Sequence, residues 1–360
     1  MDISKPESIK EKLHQCLSQI EKFEECALIN YPDHPNIGDH LIWLGSLFYL
    51  TDVAKTKINY VAVHDVPKAI IDQKLGKEFP LIFTGGGSIN DIYRHIKYYE
   101  EIISEYGDRP IIILPQSIYF TEQERLNKVA NIFNSHPNLT IFARENYSYD
   151  IALEYFHSCR VFLAPDMAFQ LVNMPGLPNK NHRSNSILYH CRTGKELNKD
   201  SAPKTLNLPN VVTQDWASYE YQGTPSALSL KGLTTLIQQG RLKEWFSRQQ
   251  WKLFHPYVVK FQQMDNPSWH LNSWKFMHDG VYQFKPHGLV ITNRLHGHIL
   301  CILLEIPHVF LANSYYKNQS FYETWTHEIP FCKFVQDASD VENAAREILK
   351  IYPISLRMHG

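Results

Sequence analysis

The sequence predicts an α/β protein with two domains, each built on a doubly wound parallel sheet, that face each other across a cleft. Strands rich in Ile, Leu and Phe alternate with helical segments along both halves of the chain, a pattern typical of parallel sheets covered by helices. Residues 173–186 carry Pro, Gly, Asn and Lys without periodicity and form the best linker candidate. A chain of 360 residues is long enough for two domains. We therefore place an N-terminal domain at 1–175, a C-terminal domain at 186–345 and a tail at 346–360.

The first half of the chain alternates predicted helices with five predicted strands. Apolar spacing predicts an amphipathic helix over 8–23. The segment that begins near Asp39 is apolar on nearly every side, which predicts a buried helix. Two further helices are expected over 91–107 and 121–135. The predicted strands cover 58–64, 80–88, 109–117, 139–145 and 160–166.

The second half repeats this alternation. Residues 294–306 are almost wholly apolar and predict a buried helix between two clear strands. A final amphipathic helix is expected at about 340–351, and the Trp-rich segment 230–285 has a helical pattern. The predicted strands cover 186–192, 208–215, 288–293 and 307–312.

The composition excludes several classes of protein. The 36 basic and 37 acidic residues give a formal net charge of -1, which provides no overall electrostatic footprint for nucleic acid. Six cysteines without a C-x-x-C pair argue against a structural zinc site and a disulfide framework. The N-terminus lacks a basic region followed by an apolar one, and no run of about 18 apolar residues occurs. We expect a reduced, soluble, cytoplasmic protein.

The glycine-rich sequence TGGGSIND (84–91) follows a predicted buried strand. We expect Gly86, Gly87 and Ser88 to bring free N–H groups to the start of a helix, where an anion binds. The sequence is neither G-x-G-x-x-G nor a P-loop, so it supports no dinucleotide or Walker-type site. The alternative is a tight turn that packs the helix onto the sheet.

The sequence NIGDHLI (36–42) places Asn36 and Asp39 before the predicted buried helix. Asp39 is a candidate N-cap, since Asp is favoured at that position. The functional interpretation instead places its carboxylate at the mouth of the cleft, where it accepts a proton from a sugar hydroxyl.

Arg144 stands at the end of the predicted strand 139–145. Open parallel sheets bind ligands at the carboxyl ends of their strands, so the guanidinium is expected to point toward the ligand crevice. The alternative is an ion pair with a surface acid such as Glu145.

The sequence ITNRLHGHIL (291–300) is the most informative, because an apolar strand turns into a buried helix there. Arg294 is suited to bind a carboxylate or phosphate through two hydrogen bonds. His296 is suited to give or take a proton near neutral pH. His298 points elsewhere in a helical geometry and is expected to be structural.

Taken in order, these motifs resemble the polysaccharide pyruvyl transferase family. The likeness covers roughly residues 30–320, and the order and spacing of the motifs are more specific than any one of them. The fold that it implies is GT-B-like, with two Rossmann-like domains. Gly194 departs from the pattern, since relatives tend to carry an acidic residue there. The motifs are N-IGD at 36–39, GGGS, PQS, ARE-x-x-S with Arg144 and Ser148, APD at 164–166, NRLHG at 293–297, and Tyr315-x-Lys317.

The resemblance implies transfer of the enolpyruvyl unit of phosphoenolpyruvate to a sugar of a polysaccharide or its precursor, with formation of a pyruvate ketal. The donor would bind to the C-terminal domain, and no metal or cofactor beyond this donor substrate is expected. The candidate catalytic residues are His296, Arg294 and Asp39. The candidate substrate-binding residues are Arg144, Leu295, Lys317, Gly86, Gly87, Ser88 and Asn36.

Two other functions stay open. A GT-B glycosyltransferase with a nucleotide-sugar donor would use the same architecture, with arginine and lysine at the diphosphate. A non-catalytic sugar-binding member of the fold would use the same residues only to cap helices. The expected partner is a sugar or a lipid-linked oligosaccharide acceptor, and the lipid-linked case would bring the protein to the inner face of the membrane.

Overall fold

The computed structural model describes residues 3–64, 66–93, 95–175, 177, 185–192, 205–220 and 242–353. Strands in these residues form two sheets, and within each sheet all paired strands are parallel. Parallel neighbours require crossover connections, which helices usually supply. The predicted α/β class with parallel sheets is confirmed.

The first sheet has seven strands in the order β2-β1-β3-β5-β6-β7, with β4 also paired to β5. Its strands are β1 Glu25–Ile29, β2 Lys57–Val61, β3 Leu81–Phe83, β4 Gly86–Asn90, β5 Ile111–Tyr119, β6 Leu139–Ala143 and β7 Arg160–Leu163.

The second sheet has five strands in the order β12-β11-β10-β8-β9. Strand β12, at its edge, was not predicted from the sequence. The strands are β8 Ile187–His190, β9 Val211–Thr213, β10 Leu289–Thr292, β11 His308–Leu311 and β12 Cys332–Val335.

The helices lie between these strands, and the described part of the Trp-rich segment is helical, as predicted. Short 3₁₀ turns cover Met167–Leu171 and Ala338–Asp340, and π-helical turns cover Tyr49–Val53 and Tyr322–Thr326. The α-helices are α1 Pro6–Leu17, α2 Ile37–Phe48, α3 Lys68–Lys74, α4 Ile96–Glu105, α5 Gln123–Ser135, α6 Asn146–Tyr155, α7 Ala217–Glu220, α8 Leu242–Phe254, α9 Tyr257–Gln262, α10 Pro267–Phe284, α11 Leu295–Leu303, α12 Lys317–Phe321 and α13 Val341–Ile351.

Helix α2 lies at the centre of the largest apolar cluster. Every residue of α2 except Asp39 is buried, and the helix packs against α10 and α11. The same cluster contains Leu28 of β1 and Val290 of β10. One continuous core therefore connects both sheets, and Asp39 is the point at which α2 reaches solvent.

Two local predictions were wrong. The glycines at 85–87 lead into strand β4 rather than a helix, because this segment pairs with β5. The next helix, α4, begins only at Ile96. The N-cap of α2 is Asn36, whose side chain accepts a hydrogen bond from the Gly38 amide, so Asp39 is not the cap.

The proposed linker 173–186 lies largely outside the described residues, as does Gly194, and the domain boundaries stay a prediction. No helix among the residues that the structure describes has both the length and the apolar character needed to cross a bilayer.

Candidate active site

A cavity of about 260 Å³ opens where strands of both sheets end. Arg144 follows β6 of the first sheet, whereas Arg192 and Arg294 follow β8 and β10 of the second. Carboxyl ends of parallel strands meet at one edge of a sheet, which is where such folds bind ligands. The cavity therefore occupies the position expected for the ligand site.

All ten candidate residues from the sequence line this one cavity. Their roles stay predictions, but the structure brings them together from segments up to 281 positions apart (Asn36 to Lys317). They are Asn36, Asp39, Gly86, Gly87, Ser88, Arg144, Arg294, Leu295, His296 and Lys317.

Arg294 is held in place by the carboxylate of Asp215, a residue that follows β9. Its Nε lies 2.5 Å from Asp215 Oδ1, and its Nη2 lies 2.6 Å from Asp215 Oδ2. The guanidinium carbon also lies 5.9 Å and 5.4 Å from the ring centres of Trp216 and Tyr219. The bidentate contact that we expected Arg294 to make with a ligand is thus made with Asp215, and a ligand in the cavity meets an arginine already fixed in orientation.

His296 lies between a carboxylate and a glycine. Its Nε2 is 3.4 Å from Asp166 Oδ2. On its other side, a Cβ added to Gly38 would lie 2.5 Å from His296 Nδ1 and 2.6 Å from Cγ. Only a residue without a side chain lets α2 approach the imidazole this closely.

Asp166 also binds Arg144, so one carboxylate contacts both the guanidinium and the His296 imidazole. Arg144 Nη1 donates to Asp166 Oδ2 at 2.7 Å. Burial by itself would raise the pKa of Asp166, but the attraction of His296 and Arg144 outweighs it and holds that pKa well below its usual range. The carboxylate therefore stays ionised beside the imidazole.

Glu145, which we considered as a surface partner of Arg144, is instead completely buried. Its Oε2 accepts a hydrogen bond of 2.8 Å from the Ser117 hydroxyl, and its Oε1 accepts one from Ser148. Burial is the largest influence and raises the pKa of the Glu145 carboxyl. The main partner of Arg144 is Asp166, at 2.7 Å, while Glu145 Oε2 is 3.7 Å from Arg144 Nε.

Asp39 faces the cavity beside two polar neighbours. Asn36 Nδ2 donates to Asp39 Oδ2 at 2.7 Å, and His34 Nε2 lies 3.5 Å from the same oxygen. The Asp39 side chain is 33% exposed. Its carboxylate is therefore oriented and open to a ligand, as a group that accepts a proton must be.

Of the three amides expected to bind an anion, that of Ser88 has a partner in the protein, while contacts of Gly86 and Gly87 with an anion stay a prediction. The Ser88 amide donates to Gln116 Oε1 at 3.0 Å, so this N–H is already used. Gly86 has a φ of 138°, a conformation that residues with side chains rarely adopt. The segment shapes the wall of the cavity, with Gly87 next to the Arg144 guanidinium.

Lys317 begins α12, and its Nζ lies 5.0 Å from the centre of the Tyr315 ring. The start of this helix is held in place by Asn318, whose Nδ2 donates to the Asn293 and Leu311 carbonyls at 2.8 Å and 2.9 Å. Lys317 is thereby positioned on the cavity wall near the NRLHG turn.

Several cavity residues were not identified from the sequence. Arg192, which lines the cavity, and Asp166 and Asp215, which contact the lining residues His296 and Arg294 from behind, lie just after strands β8, β7 and β9. Their position at strand ends was a signal that could have identified them. The other unpredicted polar lining residues are Asn30, Asp33, His34, His64, Thr84, Tyr93, His95, Tyr219 and Asn293.

His298 lies outside the cavity and is fully buried, in keeping with the structural part expected for it. Two groups of side chains among the described residues could hold a metal ion, and none of their members lines the cavity. They are His298, His308 and Cys332, and Glu244, His278 and Asp279.

Comparison with known proteins identifies relatives along most of the chain. The family model for polysaccharide pyruvyl transferases matches residues 36–315. EpsO of Bacillus subtilis, which is named as a pyruvyl transferase, is 31% identical over 93% of this chain and 96% of its own. Pyruvyl transferase 1 of Schizosaccharomyces pombe is 27% identical over 84% of this chain and 70% of its own.

A solved structure has a similar fold. It is that of a functionally uncharacterized protein from Klebsiella pneumoniae, with a TM-score of 0.55 and 19% identity. The match covers 91% of this chain and 98% of that one. At this identity the likeness concerns the fold alone.

Proposed function

The chain belongs to the polysaccharide pyruvyl transferase family, and we propose that it transfers the enolpyruvyl unit of phosphoenolpyruvate to a sugar, with formation of a pyruvate ketal. The observation that carries this proposal is the meeting of Arg294 and His296 with Asp39 in one cavity. A cation for the donor, an acid for its carbon and a base for the acceptor are then within one site.

The donor is a small molecule with a carboxylate and a phosphate, so its site needs positive charge. Arg192, Arg294 and Lys317 line the cavity on the side of the second sheet. Arg144 and Arg294 each already bind a carboxylate, Asp166 and Asp215. These inner carboxylates orient the two guanidinium groups and offset part of their positive charge.

In the proposed arrangement, the donor lies against the second sheet and the acceptor against the first, in a GT-B-like cleft. Asp39 lines the cavity together with His34, His64 and His95, all of which lie in segments that follow strands of the first sheet. Imidazole and carboxylate groups are suitable partners for sugar hydroxyls, since both donors and acceptors are present. The acceptor is a sugar of a polysaccharide or of its lipid-linked precursor.

The chemical step begins with His296. As an imidazolium, it transfers a proton to the methylene carbon of phosphoenolpyruvate, and positive charge develops at the adjacent carbon. A sugar hydroxyl attacks that carbon while Asp39 accepts its proton. Phosphate then leaves with the electrons of its carbon–oxygen bond and takes the proton held by Asp39. A second hydroxyl attacks the same carbon, closes the ketal and gives its proton to His296. The balance is one donor and one diol in, one ketal and one inorganic phosphate out.

Binding of the donor can be tested apart from catalysis. Phosphoenolpyruvate is expected to raise the melting temperature of the protein, because a ligand at 100 times its Kd adds about 2.7 kcal/mol to the unfolding free energy. The Arg294→Ala variant should lose this shift. A shift with uridine or guanosine diphosphate sugars but none with phosphoenolpyruvate would contradict the proposal and support a glycosyltransferase.

A further inference from the structure

A second cluster of nitrogen and sulfur side chains lies in the second sheet, outside the cavity. His308 and Cys332 begin β11 and β12 and are register partners in the parallel pair. His298 reaches them from α11, with its Nδ1 2.8 Å from His308 Nε2 and 3.7 Å from Cys332 Sγ. The three ligand atoms all lie within 4.8 Å of one another.

Outer hydrogen bonds orient both imidazoles. His308 Nδ1 lies 2.8 Å from the Ile306 carbonyl, which only accepts, so Nδ1 carries the proton and Nε2 presents a lone pair to the cluster. His298 Nε2 lies 3.0 Å from Thr326 Oγ1. Histidines that bind metals almost always have such a partner on the second ring nitrogen.

Without a metal, the Cys332 thiol cannot donate to the cluster. The lone pair of His308 Nε2 needs a proton on His298 Nδ1, so this atom has no lone pair for the thiol, whose sulfur is at most a weak acceptor of the same proton. One nitrogen cannot be donor and acceptor together. A cation that receives lone pairs from both nitrogens and from sulfur removes this conflict.

We propose that His298, His308 and Cys332 together hold one thiophilic metal ion, Cu⁺ in preference to Zn²⁺. Two nitrogens and one sulfur form a soft donor set of this kind. On binding, the Cys332 thiol gives its proton to solvent, a metal–sulfur bond forms, and both imidazoles donate lone pairs with no change of oxidation state.

The surroundings of the cluster select the monovalent ion. His298 and His308 have no exposed surface, and the Phe310 ring stacks on His298 at 4.0 Å between ring centres. One thiolate neutralises Cu⁺ but leaves a net positive charge with Zn²⁺, and an uncompensated charge in an apolar interior is costly. This site could not be predicted from the sequence, because its three side chains belong to separate elements rather than to a C-x-x-C motif.

The consequence for the protein is structural. His298 lies on the same helix as His296, and His308 and Cys332 lie on β11 and β12. A bound ion would therefore cross-link α11 to these two strands. Loading of the site should therefore raise the melting temperature, and this effect is independent of any transferase activity.

The test uses the full chain, produced in cells supplied with copper or with zinc and purified under reducing, oxygen-free conditions with a competing chelator. Metal per chain is then measured by elemental mass spectrometry. The wild type is expected to retain one copper ion, and Cys332→Ser and His308→Gln to lose it. The matched control is Cys159→Ser, which removes a half-buried thiol outside the cluster and should retain the copper.

A second measurement uses only the wild-type protein and therefore does not depend on whether a variant folds. In the wild-type protein, copper should slow alkylation of Cys332, followed by peptide mass, and leave alkylation of Cys159 unchanged. A wild-type protein without bound metal, or copper retention unaffected by Cys332→Ser, would overturn the proposal. Retention of zinc in preference to copper would overturn the choice of ion.

Discussion

Asp166 holds a carboxylate oxygen 3.4 Å from Nε2 of His296, and the same oxygen accepts a hydrogen bond from Arg144. The carboxylate is fully buried, and its pKa is held well below the usual range despite that burial, because His296 and Arg144 attract it. Asp166 is therefore placed to fix the position of the His296 ring.

The first prediction concerns this pair. Asp166→Asn should lower kcat by up to about 10²–10⁴-fold, the whole contribution of a positioned acid. Donor binding, followed by the thermal shift with phosphoenolpyruvate, should persist. The variant also removes the nearer of the two carboxylates that face the buried Arg144 and leaves only Glu145. Loss of one partner of a buried ion pair costs up to about 3–5 kcal/mol of stability, so activity must be measured where circular dichroism shows a folded protein. An unchanged kcat would remove Asp166 from the mechanism.

The second prediction concerns the contact between α2 and His296. In Gly38→Ala, the new Cβ would lie 2.5 Å from His296 Nδ1, so the imidazole must move. Activity should fall toward that of His296→Gln, and the added methyl should cost about 1–3 kcal/mol of stability through overpacking, offset only in part because alanine is the better helix former. Phosphate release and thermal melting measure the two effects.

The control for this variant is Gly107→Ala. A Cβ at Gly107 would meet nothing within 4 Å, so neither activity nor stability should suffer. Full activity in Gly38→Ala would show that the position of the His296 ring is unimportant.

The third prediction concerns the ion pair of Arg294 with Asp215. A lysine in place of Arg294 cannot hold both carboxylate oxygens and also present a donor to a ligand. Since hydrogen bonds to charged groups contribute about 1.5–3 kcal/mol, KM for phosphoenolpyruvate should rise by about 10- to 100-fold. Steady-state kinetics of Arg294→Lys measure this. Arg346→Lys, at an exposed position of α13, is the matched control and should behave as the wild type. Equal KM values for the two variants would argue against donor binding at Arg294.

The fourth prediction concerns the dependence of stability on pH. His40 is buried between Ser273 and the His34 carbonyl, and burial lowers its pKa to about 3. In the unfolded chain the ring titrates near 6.5. The unfolded state therefore binds more protons between these two values, and the free energy of unfolding should fall as the pH falls from about 6.5 toward 3.

Urea denaturation at pH 7 and at about pH 5 checks this dependence. His40→Gln should weaken it, because glutamine keeps a donor and an acceptor but binds no proton. His327→Gln, at a side chain that is 46% exposed, should leave it unchanged. The same slope in His40→Gln and in the wild type would show that His40 is not its source.

The sequence predicted the strand-to-helix turn at Arg294 and His296 because an apolar strand and an apolar helix adjoin there without a gap. The rule that ligands bind at strand ends then directed attention to Arg144 as well. These inferences depend on local pattern, which adjacent residues carry.

The partners of these residues could not be predicted in the same way. Asp166 and His296 are 130 positions apart, and Arg294 meets Asp215 only because β9 and β10 lie on either side of β8. Gly86 and Gly87 belong to strand β4 rather than to a helix start because β5 offers them a pairing edge. Contacts between separate elements depend on how those elements pack, so no single segment of the sequence predicts them.

The most direct test of the proposed function is release of inorganic phosphate from phosphoenolpyruvate in the presence of a panel of acceptor glycans, with mass spectrometry of the products. We predict phosphate release with at least one acceptor, a gain of one C₃H₂O₂ unit on that glycan, and loss of both signals in His296→Gln. If phosphoenolpyruvate is left intact with every acceptor while a nucleotide sugar is consumed, the chain is not a pyruvyl transferase in the sense proposed.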